Sequence, residues 1–263
     1  MVKFDNEKCV GCGKCVSECP FGIISVRNGK AGNHNINCMK CGHCVAACPC
    51  NAVYIEDYDM NEVLDLNREF SINPDDYLYM IKTRRSIRNY KNNNVEIEKL
   101  EKIIEAGRYT ATAKNTQSNQ FVVLQNNLEE FKEMFWTSLE KVFEDSEKSK
   151  DIPKEIRMFL KNKRKNPDDD FIFRNAPAVI FVANDRPVDV GLACQNMENM
   201  AVLQGLGVLY NGYLARLTEA MTNLKNYIGI ESEKQILLTM LVGYPDVKYF
   251  RTTPKKKADV IWK

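Results

Sequence analysis

From residue 73 onward the apolar positions recur at helical or strand spacing and divide the chain into elements. Asn73-Pro74-Asp75-Asp76 opens the first. Asn is a good N-cap, Pro suits the first helical position, and the two aspartates complement the helix dipole. Tyr77, Met80 and Ile81 then form an apolar stripe. Ile97, Leu100, Ile103 and Ile104 predict a second amphipathic helix that stops at Gly107. Residues 121–124 read as a strand. Residues 126–170 are irregular, although Phe131, Met134, Phe135, Leu139 and Phe143 repeat helically, as do Ile156, Phe159 and Leu160. Residues 176–183 read as a fully buried strand. Residues 189–206 form a long, mainly apolar helix for the middle of a domain or a dimer interface, and 236–242 a last strand. Residues 57–72 are acidic, Asn-rich and free of cysteine. The predicted organisation is therefore a domain at 1–58, a linker at 59–72 and a domain at 73–263.

The first domain is built on cysteine spacing rather than on apolar period. Cys9, Cys12, Cys15 and Cys19-Pro20 recur 29 residues later as Cys38, Cys41, Cys44 and Cys48-Pro49, so the segment is a duplicated unit. Two-residue gaps let three thiolates converge from one short loop, and a fourth must come from elsewhere. Zinc knuckles usually offer separated CxxC pairs or histidines, and a disulfide framework suits a secreted protein. The run resembles a two-cluster bacterial ferredoxin. That resemblance implies two 4Fe–4S clusters, one held by Cys9, Cys12, Cys15 and Cys48, the other by Cys38, Cys41, Cys44 and Cys19. Between the halves Gly22 aligns with Asn51, so one left-handed bend is expected in both. Cys50 falls in an apolar slot and reads as packing, His43 as a loop side chain. Lys14 and Lys40 are cations beside the motifs.

Composition sets limits. A net charge of +2 gives no argument for nucleic acid. No apolar signal core follows Met1, and the longest apolar run, around 236–242, is too short to span a bilayer. Eight thiolate ligands among ten cysteines suit a reducing cytoplasm.

Arg84-Arg85-Ser86-Ile87-Arg88 packs three guanidiniums and a hydroxyl into five residues, a set suited to phosphate or another planar anion. The polar stretch 109–120 then abuts the strand at 121–124 and offers donors and acceptors to a flat heteroaromatic ring. The arginine run after a helix, the helix that follows, and a Thr112-x-x-Asn115-x-Gln117 loop entering a strand resemble the FMN-dependent nitroreductase family. The family commonly has Pro-Ser before this loop and Gln-Pro-Trp at its end. Here Ala111-Thr112 and Gln117-Ser118-Asn119 stand there, so one pocket wall differs. The resemblance implies an α+β domain with a mixed central sheet wrapped by helices. It also implies FMN held by Arg84, Arg85, Ser86 and Arg88 and lined by Thr112, Asn115 and Gln117. The backbone near Gly212 and Tyr213 would face flavin N5, and Arg251 and Lys255 would complete the phosphate site. Gly205 and Gly207 do not make a dinucleotide fingerprint, since a third glycine, a following helix and a βαβ setting are not expected. Cys194 reads as a small buried residue.

The two resemblances together imply an iron–sulfur flavoprotein oxidoreductase in a homodimer. Single electrons enter through the clusters, and a hydride equivalent leaves FMN for a nitroarene, quinone or similar conjugated acceptor. An external low-potential donor such as ferredoxin is expected, because no nicotinamide fingerprint is visible. No side chain stands out as general acid or base. The alternative is an electron-transfer relay to a partner protein, without small-molecule turnover.

Overall fold

The computed structural model describes residues 1–34, 37–144 and 153–263; residues 145–152 of the irregular stretch lie outside the described residues. Two compact units emerge, one of residues 1–71 with 112–116, the other of 72–111 with 117–263.

In the first unit β1 (Val2–Phe4), α1 (Lys14–Ser17), β2 (Ile24–Arg27), β3 (Lys30–Asn33), α2 (His43–Ala46) and β4 (Val53–Ile55) follow one another. β1 pairs antiparallel with β4, Val2 opposite Ile55, and β2 forms a hairpin with β3. The hairpin turn is Asn28-Gly29, both with positive φ, as a two-residue turn between twisted strands requires. The internal duplication is visible in the backbone. α1 and α2 each start after a left-handed glycine, Gly13 and Gly42. The expected bend is present at Gly22 (φ 60°) and Asn51 (φ 48°). Val2, Ile23, Ile24, Ala31, Ala52, Val53 and Ile55 form the core, together with Cys9, Cys15 and Cys44. A core this small leaves little margin of stability.

The second unit runs α3 (Pro74–Thr83), α4 (Ile97–Arg108), β5 (Gln120–Leu124), α5 (Leu128–Glu144), α6 (Lys154–Lys165), β6 (Ala178–Asn184), α7 (Pro187–Leu203), β7 (Gly207–Tyr210), α8 (Gly212–Ala220), α9 (Thr222–Tyr227) and β8 (Gln235–Gly243). The sheet order is β5-β6-β8-β7 and every ladder is antiparallel. Its mixed character is confined to one parallel bridge, Ser86 with Val208. β6 is buried along its whole length, and its side chains alternate between two cores. Val179, Phe181 and Ala183 meet α5, α6, α8 and α9. Ala178, Ile180 and Val182 meet α4 and α7. Phe131, Phe135, Phe173 and Phe181 are fully buried in the first core, with edge-on ring pairs at 5.3–6.2 Å. Each such side chain contributes about 1.5–3 kcal/mol by burial, so helices flank the sheet on both faces.

Three expectations change. The helix not expected after Gly205 and Gly207 is present: β7 leads straight into α8, because Asn211 caps it and Leu214, Ala215 and Thr218 bury one face. The long apolar helix ends at Leu203 rather than 206, and Gly205 takes the left-handed conformation that stops it. The stripe on α3 is not buried; Tyr77 and Ile81 are exposed and Met80 half-buried. The Asn73 cap is present, its side chain accepting from the Asp75 N–H at 2.8 Å. Among the described residues no helix is long and apolar enough to cross a membrane.

Candidate redox centres

The cysteines of the first unit ring two cavities. Cys9, Cys12, Cys15 and Cys48 line one, with Cys50 beside them. Cys19, Cys38, Cys41 and Cys44 line the other, with His43 at its edge. This is the three-plus-one sorting that the resemblance to a two-cluster ferredoxin implies. Each short helix lifts the third cysteine of its run into the core, so Cys15 and Cys44 are buried while Cys12 stays exposed. Among the described residues no three His, Cys, Asp or Glu side chains close on a single ion. A cubane differs in taking one thiolate per iron, and so needs four sulfurs around a cavity.

Local donors favour negative charge on these sulfurs. The Ala31 N–H donates to Cys9 Sγ at 3.3 Å, the Ala52 N–H to Cys48 Sγ at 3.2 Å and the Lys40 N–H to Cys38 Sγ at 3.4 Å. The Ala31 and Gly11 N–H groups hold the Cys9 thiol below its ordinary value. Burial pushes Cys44 up to about 11 and raises Cys15, so as thiolates these two would need a positive charge beside them, which an iron ion would supply. Gly11 permits the close approach of loop and hairpin, since a Cβ there would meet the Gly29 carbonyl oxygen at 2.3 Å. Lys30 Nζ donates to the Cys9 carbonyl at 2.6 Å. Lys40 pairs with Asp57, and Lys14 stands in the first turn of α1.

Thr112 and Asn115 belong to this unit. Asn115 Nδ2 donates to the carbonyls of Met39 (3.3 Å) and Lys40 (3.0 Å), between Cys38 and Cys41. Lys114, Asn115 and Gln117 all have positive φ near 50°, a conformation uncommon for non-glycine residues and easiest for Asn.

In the second unit the arginine run follows α3. Arg84 Nη1 donates to Glu198 Oε1 at 3.0 Å. Arg85 reaches the Lys82, Arg84 and Arg251 carbonyls, which brings the tail at Arg251 against the run. Its buried Nε has no protein partner among the described residues. Arg88 Nη1 donates to the Ser86 carbonyl at 3.3 Å. The segment lies tight on the sheet: a Cβ at Gly207 would meet Ile87 Cγ1 at 2.3 Å. Gly212 and Tyr213 occupy the first turn of α8, whose N–H groups lack intrahelical acceptors. Lys255 lies exposed in the tail. An orphaned guanidine N–H, two further arginines, a hydroxyl and a helix N-terminus are the kinds of donor that a flavin with its phosphate would need.

Three residues escaped the sequence reading. Glu198 is buried in the middle of the apolar α7, where a single charge must find a partner. Tyr210 OH donates to the Cys194 carbonyl at 2.9 Å; burial, then the Glu198 charge, keeps this phenol protonated. Arg174 lines a cleft with Arg88 and stacks on the Phe171 ring at 3.7 Å. Cys194 is buried as expected, and burial pushes its thiol up to about 12.

Comparison with known proteins agrees with both halves. Residues 1–49 match the 4Fe-4S dicluster domain and residues 81–244 the nitroreductase family. Ferredoxin-2 of Desulfomicrobium norvegicum is 52% identical over 27 residues, which is 10% of this chain and 46% of that ferredoxin. An FMN-bound nitroreductase from Bacteroides fragilis superposes with a TM-score of 0.60 at 19% identity, covering 73% of this chain and 100% of its own. An FMN-bound nitroreductase from Desulfitobacterium hafniense gives 0.57 at 19%, over 73% and 100%. A BluB-like flavoprotein from Clostridium difficile gives 0.52 at 19%, over 72% and 96%. At these identities the structures attest a shared fold. The family match takes in more than half of the sequence, and the chain therefore belongs to the nitroreductase family, with a 4Fe-4S dicluster domain at its start.

Proposed function

We propose that the protein is an iron–sulfur flavoprotein oxidoreductase that takes electrons singly from an external low-potential donor such as ferredoxin. It passes them in pairs to a nitroarene, quinone or similar conjugated acceptor. The observation that carries the reading is one chain with both a doubled ring of four cysteines and an arginine-rich donor set on a nitroreductase fold. When bound, two 4Fe–4S clusters supply one-electron transfer and FMN supplies two-electron, hydride-type delivery. The chain's own part is to hold and polarise. The eight cysteines carry the clusters in the crossed pattern. Arg84, Arg85, Ser86 and Arg88, with Arg251 and Lys255 from the tail, hold the phosphate, ribityl chain and pyrimidine edge, and Gln117 lines the ring with Thr112 and Asn115. The first-turn N–H groups at Gly212 and Tyr213 favour negative charge on the bound ring by fixed dipoles. Protons come from water. A homodimer is supported by large apolar side chains left exposed, Tyr77, Leu78 and Ile81 on α3 and Phe250, Ile261 and Trp262 in the tail.

Purification without oxygen, with iron, sulfide and flavin counted per chain, tests this directly. About eight iron and one FMN are expected. Mixing with reduced ferredoxin and a panel of acceptors should then give turnover. Fast reoxidation by a protein partner with no acceptor turned over would favour the relay, and a chain free of flavin would end both.

A further inference from the structure

Glu198 is a charged side chain that the proposed function leaves unused. It sits in the middle of α7 with its side chain 2% exposed, whereas Arg84, its partner, is 30% exposed. Burying a lone carboxylate costs several kcal/mol unless a partner and hydrogen bonds compensate it. Here one oxygen accepts from Arg84 Nη1 at 3.0 Å and the other lies 3.4 Å from the Gln195 amide nitrogen. One turn earlier on the same helix the Cys194 carbonyl accepts the Tyr210 hydroxyl. α7 thus ties down both the arginine that ends α3 and the strand residue just ahead of Asn211 and Gly212. A guanidinium carries five donors in a rigid fork, so engaging one on Glu198 sets the direction of the rest.

We propose that Glu198 is a positioning residue of the flavin site: it orients the Arg84 guanidinium and offsets its charge. The inference rests on the reading of Arg84 as a flavin-holding residue. Two effects follow, and they separate. Loss of the carboxylate side chain releases the guanidinium and weakens FMN. Loss of the charge alone leaves Arg84 uncompensated, which favours the more negative, reduced flavin.

The test uses the full chain with its clusters, prepared without oxygen, as wild type, Glu198→Ala, Glu198→Gln and Arg84→Gln/Glu198→Gln. Flavin binding is read by fluorescence and the flavin midpoint by dye-mediated titration, with the clusters followed separately by EPR. Glu198→Ala should weaken FMN about tenfold, the low end of what losing an orienting partner costs a metal ligand. Glu198→Gln should keep affinity within about threefold. It should favour the reduced flavin up to tenfold, an upward shift of about 30 mV at most for a two-electron couple. The double variant should lose that shift. A purely structural role predicts no change of potential in Glu198→Gln, and that result, or a downward shift, overturns the proposal. Equal FMN affinity of wild type and Glu198→Ala overturns it too, while leaving the flavin reading intact. Failure of the wild type itself to bind FMN sinks both. Urea unfolding of the flavin-free chain checks the pair independently: Arg84→Gln alone should lower the midpoint, and Glu198→Gln added to it should restore part of the loss.

Discussion

Asn211→Ala should loosen the start of α8, and the size of the effect follows from two hydrogen bonds. Asn211 is 8% exposed. Its Oδ1 accepts the Leu214 N–H at 3.0 Å, and its Nδ2 donates to the Ile172 carbonyl at 2.6 Å. Losing the cap costs about 1 kcal/mol. Leaving the buried Ile172 carbonyl unpaired costs about 1–3 kcal/mol more, for a total of about 2–4 kcal/mol. With a urea m-value of about 2 kcal/mol/M, the middle of the usual range, the midpoint should fall by about 1–2 M. Because the chain has two units, the probe must report on the second alone. Trp136 does so, packed edge-on against Phe135 at 5.4 Å, while the other tryptophan, Trp262, is 89% exposed and changes little on unfolding. Asn211→Ser keeps an acceptor for the cap but cannot reach Ile172, so it should recover roughly the cap's share of about 1 kcal/mol. A loss below about 0.5 kcal/mol in Asn211→Ala would refute the argument that this side chain holds the N-terminus of α8 in place.

Cys19→Ala should abolish the EPR signal of the cluster held by Cys38, Cys41 and Cys44 and spare the other, because Cys19 lines that second cavity; loss of the same signal as in Cys9→Ala would contradict the crossed pattern. Gly207→Ala puts a Cβ 2.3 Å from Ile87 Cγ1, so it should destabilise the second unit by about 1–3 kcal/mol through overpacking and weaken FMN by displacing residues 84–88; unchanged affinity in a folded variant would count against that segment as a flavin holder. Stripping the clusters with an oxidant and chelator should unfold the first unit, whose apolar core is small, and leave the helical circular dichroism of the second largely intact; retention of the β1–β4 amide protection in the stripped chain would show that the core suffices alone.

What the sequence determined by itself was everything set by short spacing. Two-residue gaps between cysteines, the Asn73-Pro74 start of α3, the period of α4 and the uninterrupted apolar run of β6 are each decided within a few residues. Local backbone geometry and side-chain period suffice there. The Asn211 cap of α8 is a signal of the same class, a lone polar residue between an apolar run and a helix. The tertiary structure alone decided the β5-β6-β8-β7 order, the exposure of the α3 stripe and the pairing of Arg84 with Glu198, 114 residues away. It also placed Asn115 on carbonyls 75 and 76 residues earlier. Such pairings are chosen by the sum of many weak contacts and by the cost of stranding a buried charge, and neither leaves a periodic trace along the chain.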